Sequence, residues 1–208
     1  MIVRLELSPG SLLSQDDLQR TIGVGRTPIH QAIQRLALEE LVVVAPRRGV
    51  FVTNVDVLEL PVLYESRIML EPYMAAAAAE RGASGDWDQM EAALNEVAPD
   101  SSVDDRVRAD RRCHEIIWSA AGNRFLTRTL DLLYAQSDRL WHMYLIDVTD
   151  MHQSIDEHVG LLNALRLGDA DTAASQMRDH IRSLHDQVNN VIEASIQARP
   201  LSAGRIRG

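Results

Sequence analysis

Three observations predict a mainly α chain built in two parts. Apolar residues recur at spacings of three and four from about residue 57 onward, the helical period. Only the first 55 or so residues break that period with β-branched runs, which points to a small head with a hairpin. Charge divides at the same place: residues 1–55 hold six Arg against five acids, leaving fifteen Arg against twenty-five acids for the rest. The head is therefore weakly basic and the body acidic, within a total of −9 over 208 residues. A protein that approaches nucleic acid by one face needs such a division, and a histone-like coating protein would not show it. The basic residues are all Arg, whose planar fork suits phosphate and guanine edges.

The head's first clear helix opens at Ser14-Gln15-Asp16-Asp17, which reads as a capping box, and carries Leu18 and Ile22. A turn of about four residues through Gly23-Val24-Gly25 launches a second helix, with Thr27 expected as its cap and Pro28 at its first position. Free N–H groups at such a start attract phosphate. Ile29, Ile33, Leu36 and Leu41 give this helix an apolar stripe. Val42-Val43-Val44 and Val50-Phe51-Val52 then predict a two-stranded hairpin, with Ala45-Pro46-Arg47-Arg48-Gly49 as its basic tip.

Singly, a Thr-Pro pair is only a helix start, and an Arg-Arg turn is only a solvated loop. Helix, turn, helix and hairpin in this order make a winged helix-turn-helix, whose second helix enters the major groove while the wing reaches the neighbouring backbone. The partner read from this pattern is double-stranded DNA. Arg26 and Thr27 at the helix start and Arg47, Arg48 and Gly49 in the wing are the first candidate contacts. One short helix reads few bases, so a homodimer on a palindromic operator is expected.

The body divides at Gly82–Gly85, Ala98–Ser102, Gly122-Asn123, near Asp147–Asp150 and at Gly168-Asp169. About six helices lie between these breaks, at 57–81, 86–97, 103–121, 124–146, 151–167 and 169–197. Pro61 and Pro72 predict a kink or split in the first, while Ala75–Ala79 predicts close packing against a neighbour. The resulting organisation is a winged head over 1–55, a helical body over 56–198 and a flexible tail over 199–208. The lone Cys113 excludes an internal disulfide, and no apolar run approaches a membrane span or signal core. A soluble, cytoplasmic protein with no membrane partner is expected.

These residues together resemble the GntR superfamily of transcription factors, in its FadR-like branch with an all-helical FCD effector domain. The resemblance rests on Leu7-Ser8-Pro9-Gly10, the run Gly25–Ala32, Arg35-Leu36, Pro46–Gly49, Glu65-Ser66-Arg67 and Leu70-Glu71. It continues through Asp110–His114, Ala121–Asn123, Glu157-His158, Ala164–Asp169, Met177 and His180. It adds His30, Gln31 and Arg35 to the DNA-contact set. Here Gly25 and His30 stand where the family usually has Ser and Arg, and only Met1–Leu7 corresponds to the family's first helix. His30 is shorter than Arg and mostly neutral near pH 7, so one charged contact changes character.

Asp110 and His114 are four apart on one helix and share a face, while His158 and His180 belong to two later helices. Periodicity alone reads lone helical histidines as core or surface groups; the resemblance implies that all four form the FCD metal motif. One carboxylate with imidazoles suits zinc, nickel, manganese or iron, and ligand type alone does not choose among them; zinc is the ion expected first. His142, His152 and His185 fall outside the motif, with His152 the nearest bystander.

The resemblance further implies a small carboxylate effector beside the metal, with Arg67 and Arg139 as its anion clamp and Asn123 lining the pocket. The competing roles are an ion pair from Arg67 to Glu71, four residues on, and a turn-capping duty for Asn123 beside Gly122. The function expected is a metabolite-responsive regulator, a repressor released by its effector. An enzyme of the metal-dependent HD hydrolase type is the alternative, because His185-Asp186 carries that dipeptide. Metal catalysis also requires an open coordination position and a nearby base, and no such assembly is legible.

Overall fold

A computed structural model describes residues 1–144 and 151–198, without the side chains of 144 and 195–198. The break expected near 147–150 and the tail over 199–208 lie outside the described residues. Two compact units group residues 1–63 with 131–143, and residues 64–130 with those from 144 onward.

In the first unit, Ser14 caps α1 (Gln15–Ile22) by accepting from the Asp17 backbone N–H at 3.2 Å. The helix ends at Gly23, whose φ of 74° is the left-handed conformation that costs glycine little. α2 spans Arg26–Leu38 and begins two residues earlier than expected: Gly25 takes the cap position, and Thr27 and Pro28 lie inside the first turn. Pro28 is harmless there, because the first four helical N–H groups have no intrahelical acceptor. The connecting turn is correspondingly shortened to Gly23-Val24-Gly25.

The wing is three-stranded rather than two-stranded. β1 (Leu12–Leu13) pairs antiparallel with β3 (Gly49–Val52), which pairs in turn with β2 (Val42–Ala45). Two leucines ahead of a helix carry no strand period, so only pairing with Val50 and Phe51 defines β1. At the tip the Arg48 N–H donates to the Ala45 carbonyl at 3.1 Å, with Pro46 second in the turn and Arg47 third at φ 63°. Leu13, Ile29, Ile33, Leu41, Val42, Val50 and Val52 form the core of the head, joined by Ile2. Met1–Leu7 forms turns rather than helix, so Ile2 enters that core from a non-helical segment.

A 3₁₀ turn at Val57–Glu59 precedes α3 (Leu60–Arg81), which crosses the boundary between the units. The expected split does not occur: Pro61 sits in the first turn, and α3 runs on through Pro72. The second unit continues with α4 (Ser84–Asn95) and α5 (Val103–Ala121). Next come α6 (Arg124–Tyr144), whose residues 131–143 belong to the first unit, α7 (His152–Leu167) and α8 (Ala170–Ala198). Ser102 and Asp105 close a capping box on α5. α4 packs on α5 and α7, α5 also meets α7, and α7 lies along α8. Their shared interior holds Ile117, Trp118, Leu161, Leu165, Met177 and Ile181. Ala75, Ala77, Ala78 and Ala79 are buried, as close packing of that alanine run requires. No helix among the described residues is long and apolar enough to cross a membrane.

Candidate functional site

Along α2, Arg26 and His30 are one helical turn apart, as are Thr27, Gln31 and Arg35, and all five are exposed. The opposite face buries Ile29 and Ile33. Arg26 has only a distant contact with Asp16 at 3.9 Å, and Arg35 pairs with Glu39 at 2.9 Å. Exposed pairs of this kind are worth little and yield readily to a stronger anion. Arg47, Arg48 and Gly49 are exposed in and beside the wing turn. Every candidate DNA contact of the head is therefore presented to solvent by a packed scaffold.

The body holds the opposite arrangement, a polar cluster inside the bundle. Asp110 and His114 come from α5, His158 from α7 and His180 from α8; all four are buried. One ligand atom from each lies within 4.8 Å of all the others. His114 Nε2 and His180 Nε2 are 3.3 Å apart. Asp110 Oδ1 stands 3.6 Å from His180 Nε2 and 3.5 Å from His158 Nδ1, and its Oδ2 is 3.9 Å from His114 Nε2.

What surrounds the rings decides which nitrogen faces inward. His114 Nδ1 lies 2.6 Å from Glu71 Oε2, His158 Nδ1 donates to the Ser154 carbonyl at 2.8 Å, and His180 Nδ1 donates to Glu157 Oε2 at 2.8 Å. A neutral imidazole carries one N–H, so three engaged Nδ1 atoms leave three Nε2 lone pairs. The Ser154 hydroxyl donates to Asp110 Oδ1 at 2.6 Å. Burial pushes the Asp110 carboxyl up, but His158, His114, His180 and this hydroxyl more than reverse it and hold it ionised. Burial, together with the neighbouring His180 and His114, pushes the His158 imidazole down to about 3, so it stays neutral at physiological pH.

These residues fit a divalent ion. His158 Nε2 is buried without a hydrogen-bond partner among the described residues, and two further lone pairs face each other across 3.3 Å. Donors about 2.0–2.1 Å from one ion stand roughly 3 Å apart, and the four ligand atoms, all within 4.8 Å of one another, would draw together to hold one. His158 and His180 each have the outward N–H acceptor that metal-ligating histidines almost always use, and His114 Nδ1 has the Glu71 carboxylate 2.6 Å away.

Each of the three effector candidates has a protein partner within its own unit. Arg67 Nε is 2.5 Å from Glu71 Oε1, with both side chains buried and the guanidinium 5.5 Å from the Tyr64 ring centroid. The ion pair prevails because a guanidinium inside the bundle needs a fixed counter-charge whether or not a ligand is present. Arg139 belongs to the first unit, where it donates to the Thr53 carbonyl and to Gln136 Oε1. Asn123 caps α6, its Oδ1 accepting from the N–H groups of Phe125 and Leu126 at 3.2 and 3.3 Å. His142 bonds to Asp138, and His152 is exposed at the start of α7. His185 faces Tyr64 and Asp186, so the HD dipeptide stands outside the four-residue cluster.

Sequence reasoning missed Ser154 and Glu157, and it placed Glu71 only as a partner of Arg67. Ser154 had a faint signal, since it lies four residues before His158 and so on the same helical face. Glu157 reaches His180 across 23 residues and two helices, a pairing that only the packing of α7 on α8 creates.

Comparison with known proteins agrees with this architecture. Residues 62–183 match the FCD domain and residues 1–52 match the bacterial regulatory proteins of the gntR family. The HTH-type transcriptional repressor RspR of Escherichia coli is 23% identical over 193 residues, covering 91% of this chain and 85% of its own. The galactonate operon transcriptional repressor of Escherichia coli is 29% identical over 197 residues, covering 83% of this chain and 85% of its own. The solved structure of McbR/YncC from Escherichia coli shares the fold, with a TM-score of 0.81 at 19% identity over 91% of this chain and 92% of that one. Family and relatives are transcriptional regulators rather than enzymes, and the HD hydrolase alternative finds no support among them. The chain thus belongs to the GntR family of DNA-binding transcriptional regulators, with a winged helix-turn-helix head and an FCD domain.

Proposed function

We propose that this regulator is a homodimeric repressor whose head, residues 1–55, reads a palindromic operator, and whose body, residues 56–198, senses a small carboxylate at a protein-bound divalent ion. The observation that carries this reading is the buried set of Asp110, His114, His158 and His180, with an oxygen from outside the set within 2.8 Å of each imidazole Nδ1. Zinc heads the candidates, and nickel, manganese or iron suit the same ligands.

Charge balance supports an anionic effector. Arg67 and Glu71 neutralise each other, and Asp110 is the one carboxylate among the four ligands. A divalent ion in this site would supply a Lewis acid and, with Asp110 as its one anionic ligand, would keep one positive charge within the four-ligand set, which a monocarboxylate would neutralise. The effector's anchor in this reading is the centre itself, in place of an Arg67–Arg139 clamp. Asp110 and the three imidazoles would hold the ion, the Ser154 hydroxyl holds Asp110, and the helices around them exclude water.

Elemental analysis of protein purified without chelator should find one divalent ion per chain, lost in H158A and H180A. Calorimetric titration with small carboxylates should give binding to the loaded protein and none to the stripped protein, and the binding ligand should release operator DNA. A metal-free wild type, or carboxylate binding indifferent to chelation, would sink the proposal.

A further inference from the structure

The three candidate histidines are held from outside by three different kinds of acceptor. His158 uses the Ser154 carbonyl one turn back on its own helix, an acceptor that every side-chain substitution preserves. His180 uses Glu157, whose side chain is 25% exposed and also accepts from Gln153, so water can stand in for it. His114 uses Glu71 from a different helix, and both of these side chains are 0% exposed. No solvent reaches that contact. The second oxygen of Glu71 is taken by Arg67, four residues earlier on α3. The line Arg67–Glu71–His114 thus runs through the bundle toward the cluster, and Trp118, 5.8 Å from the His114 ring centroid, packs beside it.

We infer that Glu71, clamped by Arg67, is the positioning residue of the candidate metal centre. It fixes His114 as the Nδ1–H tautomer and aims Nε2 at the ion. This inference rests on the metal reading above and assigns Arg67 to the architecture of the centre. Glu71 is not itself a ligand, because it meets His114 on the nitrogen facing away from the cluster. A carboxylate acceptor makes the imidazole a stronger donor to a metal, and loss of such outer partners typically weakens metal affinity about 10–100-fold. Arg67 makes that carboxylate tolerable inside the bundle, since an unpaired buried charge is expensive. A neutral acceptor would hold the tautomer without the added basicity, which separates E71Q from E71M.

The test uses the full-length chain and cobalt(II) as the probe ion. Affinity is read by competition with a chelator at pH 7.5, and the His114 ring nitrogens are read by long-range ¹H–¹⁵N correlation in metal-free protein. Wild type should show His114 protonated at Nδ1. E71Q should keep that tautomer and weaken cobalt about 10-fold, while E71M should lose the tautomer preference and weaken it toward 100-fold. E157Q should cost less than either. Thermal unfolding of each variant serves as the folding control. Should E71M fail to fold, the isosteric E71Q and the wild-type tautomer still decide. A wild-type His114 protonated at Nε2, or folded E71Q and E71M with wild-type cobalt affinity, overturns the inference. If wild type takes no metal at all, the metal reading fails while the metal-free tautomer measurement still reports on Glu71.

Discussion

Replacing Arg67 by Met separates a structural guanidinium from an effector clamp. The Arg67 and Glu71 side chains are 2% and 0% exposed and meet at 2.5 Å, so removal of the cation strands a carboxylate inside the bundle. Burial alone drives the Glu71 carboxyl up; Arg67, with help from His114, brings it well below the ordinary carboxylate range. Breaking a buried pair from one side typically costs about 3–5 kcal/mol. At roughly 2–4 °C per kcal/mol for a chain of this size, the melting temperature should fall by about 6–20 °C. The double variant R67M/E71M should lose less than the two single losses combined, because an apolar pair of similar volume strands no charge. Urea unfolding of metal-stripped protein, followed by tryptophan fluorescence, to which buried Trp87 and Trp118 of the same unit contribute, provides the assay. A variant within about 1 kcal/mol of wild type that has nonetheless lost carboxylate binding would refute the ion-pair account and restore the clamp.

Two further predictions follow from the sites. In metal-stripped protein His158 is held down to about 3, first by burial and then by its histidine neighbours, whereas an unfolded histidine titrates near 6.5. Between those values the unfolded chain binds a proton that the folded chain does not, so stability should fall as pH drops from about 6.5 toward 3. Glu71 and Asp110, both depressed, add further loss in the same direction below about pH 4.5; urea midpoints that stay level from pH 7 to pH 5 contradict this account. At the candidate DNA-facing helix, R26A should lose roughly 1–3 kcal/mol and relax sequence preference. R47A and R48A should weaken binding to all sequences and flatten its salt dependence. H30R should tighten binding if position 30 meets phosphate and do little or harm if it reads a base; anisotropy titrations at several salt concentrations resolve all four variants, and operator affinity unchanged in R26A defeats the recognition-helix assignment.

Local rules made much of the molecule legible in advance. The helix at 103–121 was readable to the residue because its start is a Ser-x-x-Asp box and its end a glycine, both of which act within one turn. The exposed and buried faces of α2, the hairpin and the pairing of Asp110 with His114 follow from periods of 3.6 and 2 in the same way. Choices between competing partners were not legible. Arg67 could pair with Glu71 or await a ligand on identical spacing, and Arg139 found the Thr53 carbonyl, 86 residues away. Glu157 and His180, like Ser154 and Asp110, meet only because α7 packs against α8 and α5. By itself, then, the sequence determined the two-part architecture, the candidate DNA-facing helix and the four candidate ligands, because caps, periods and motifs act over a few residues or are written in residue type. Only the tertiary structure decided which acceptor each imidazole and guanidinium takes, because a buried polar group bonds to whatever the packing of separate helices brings within about 3 Å.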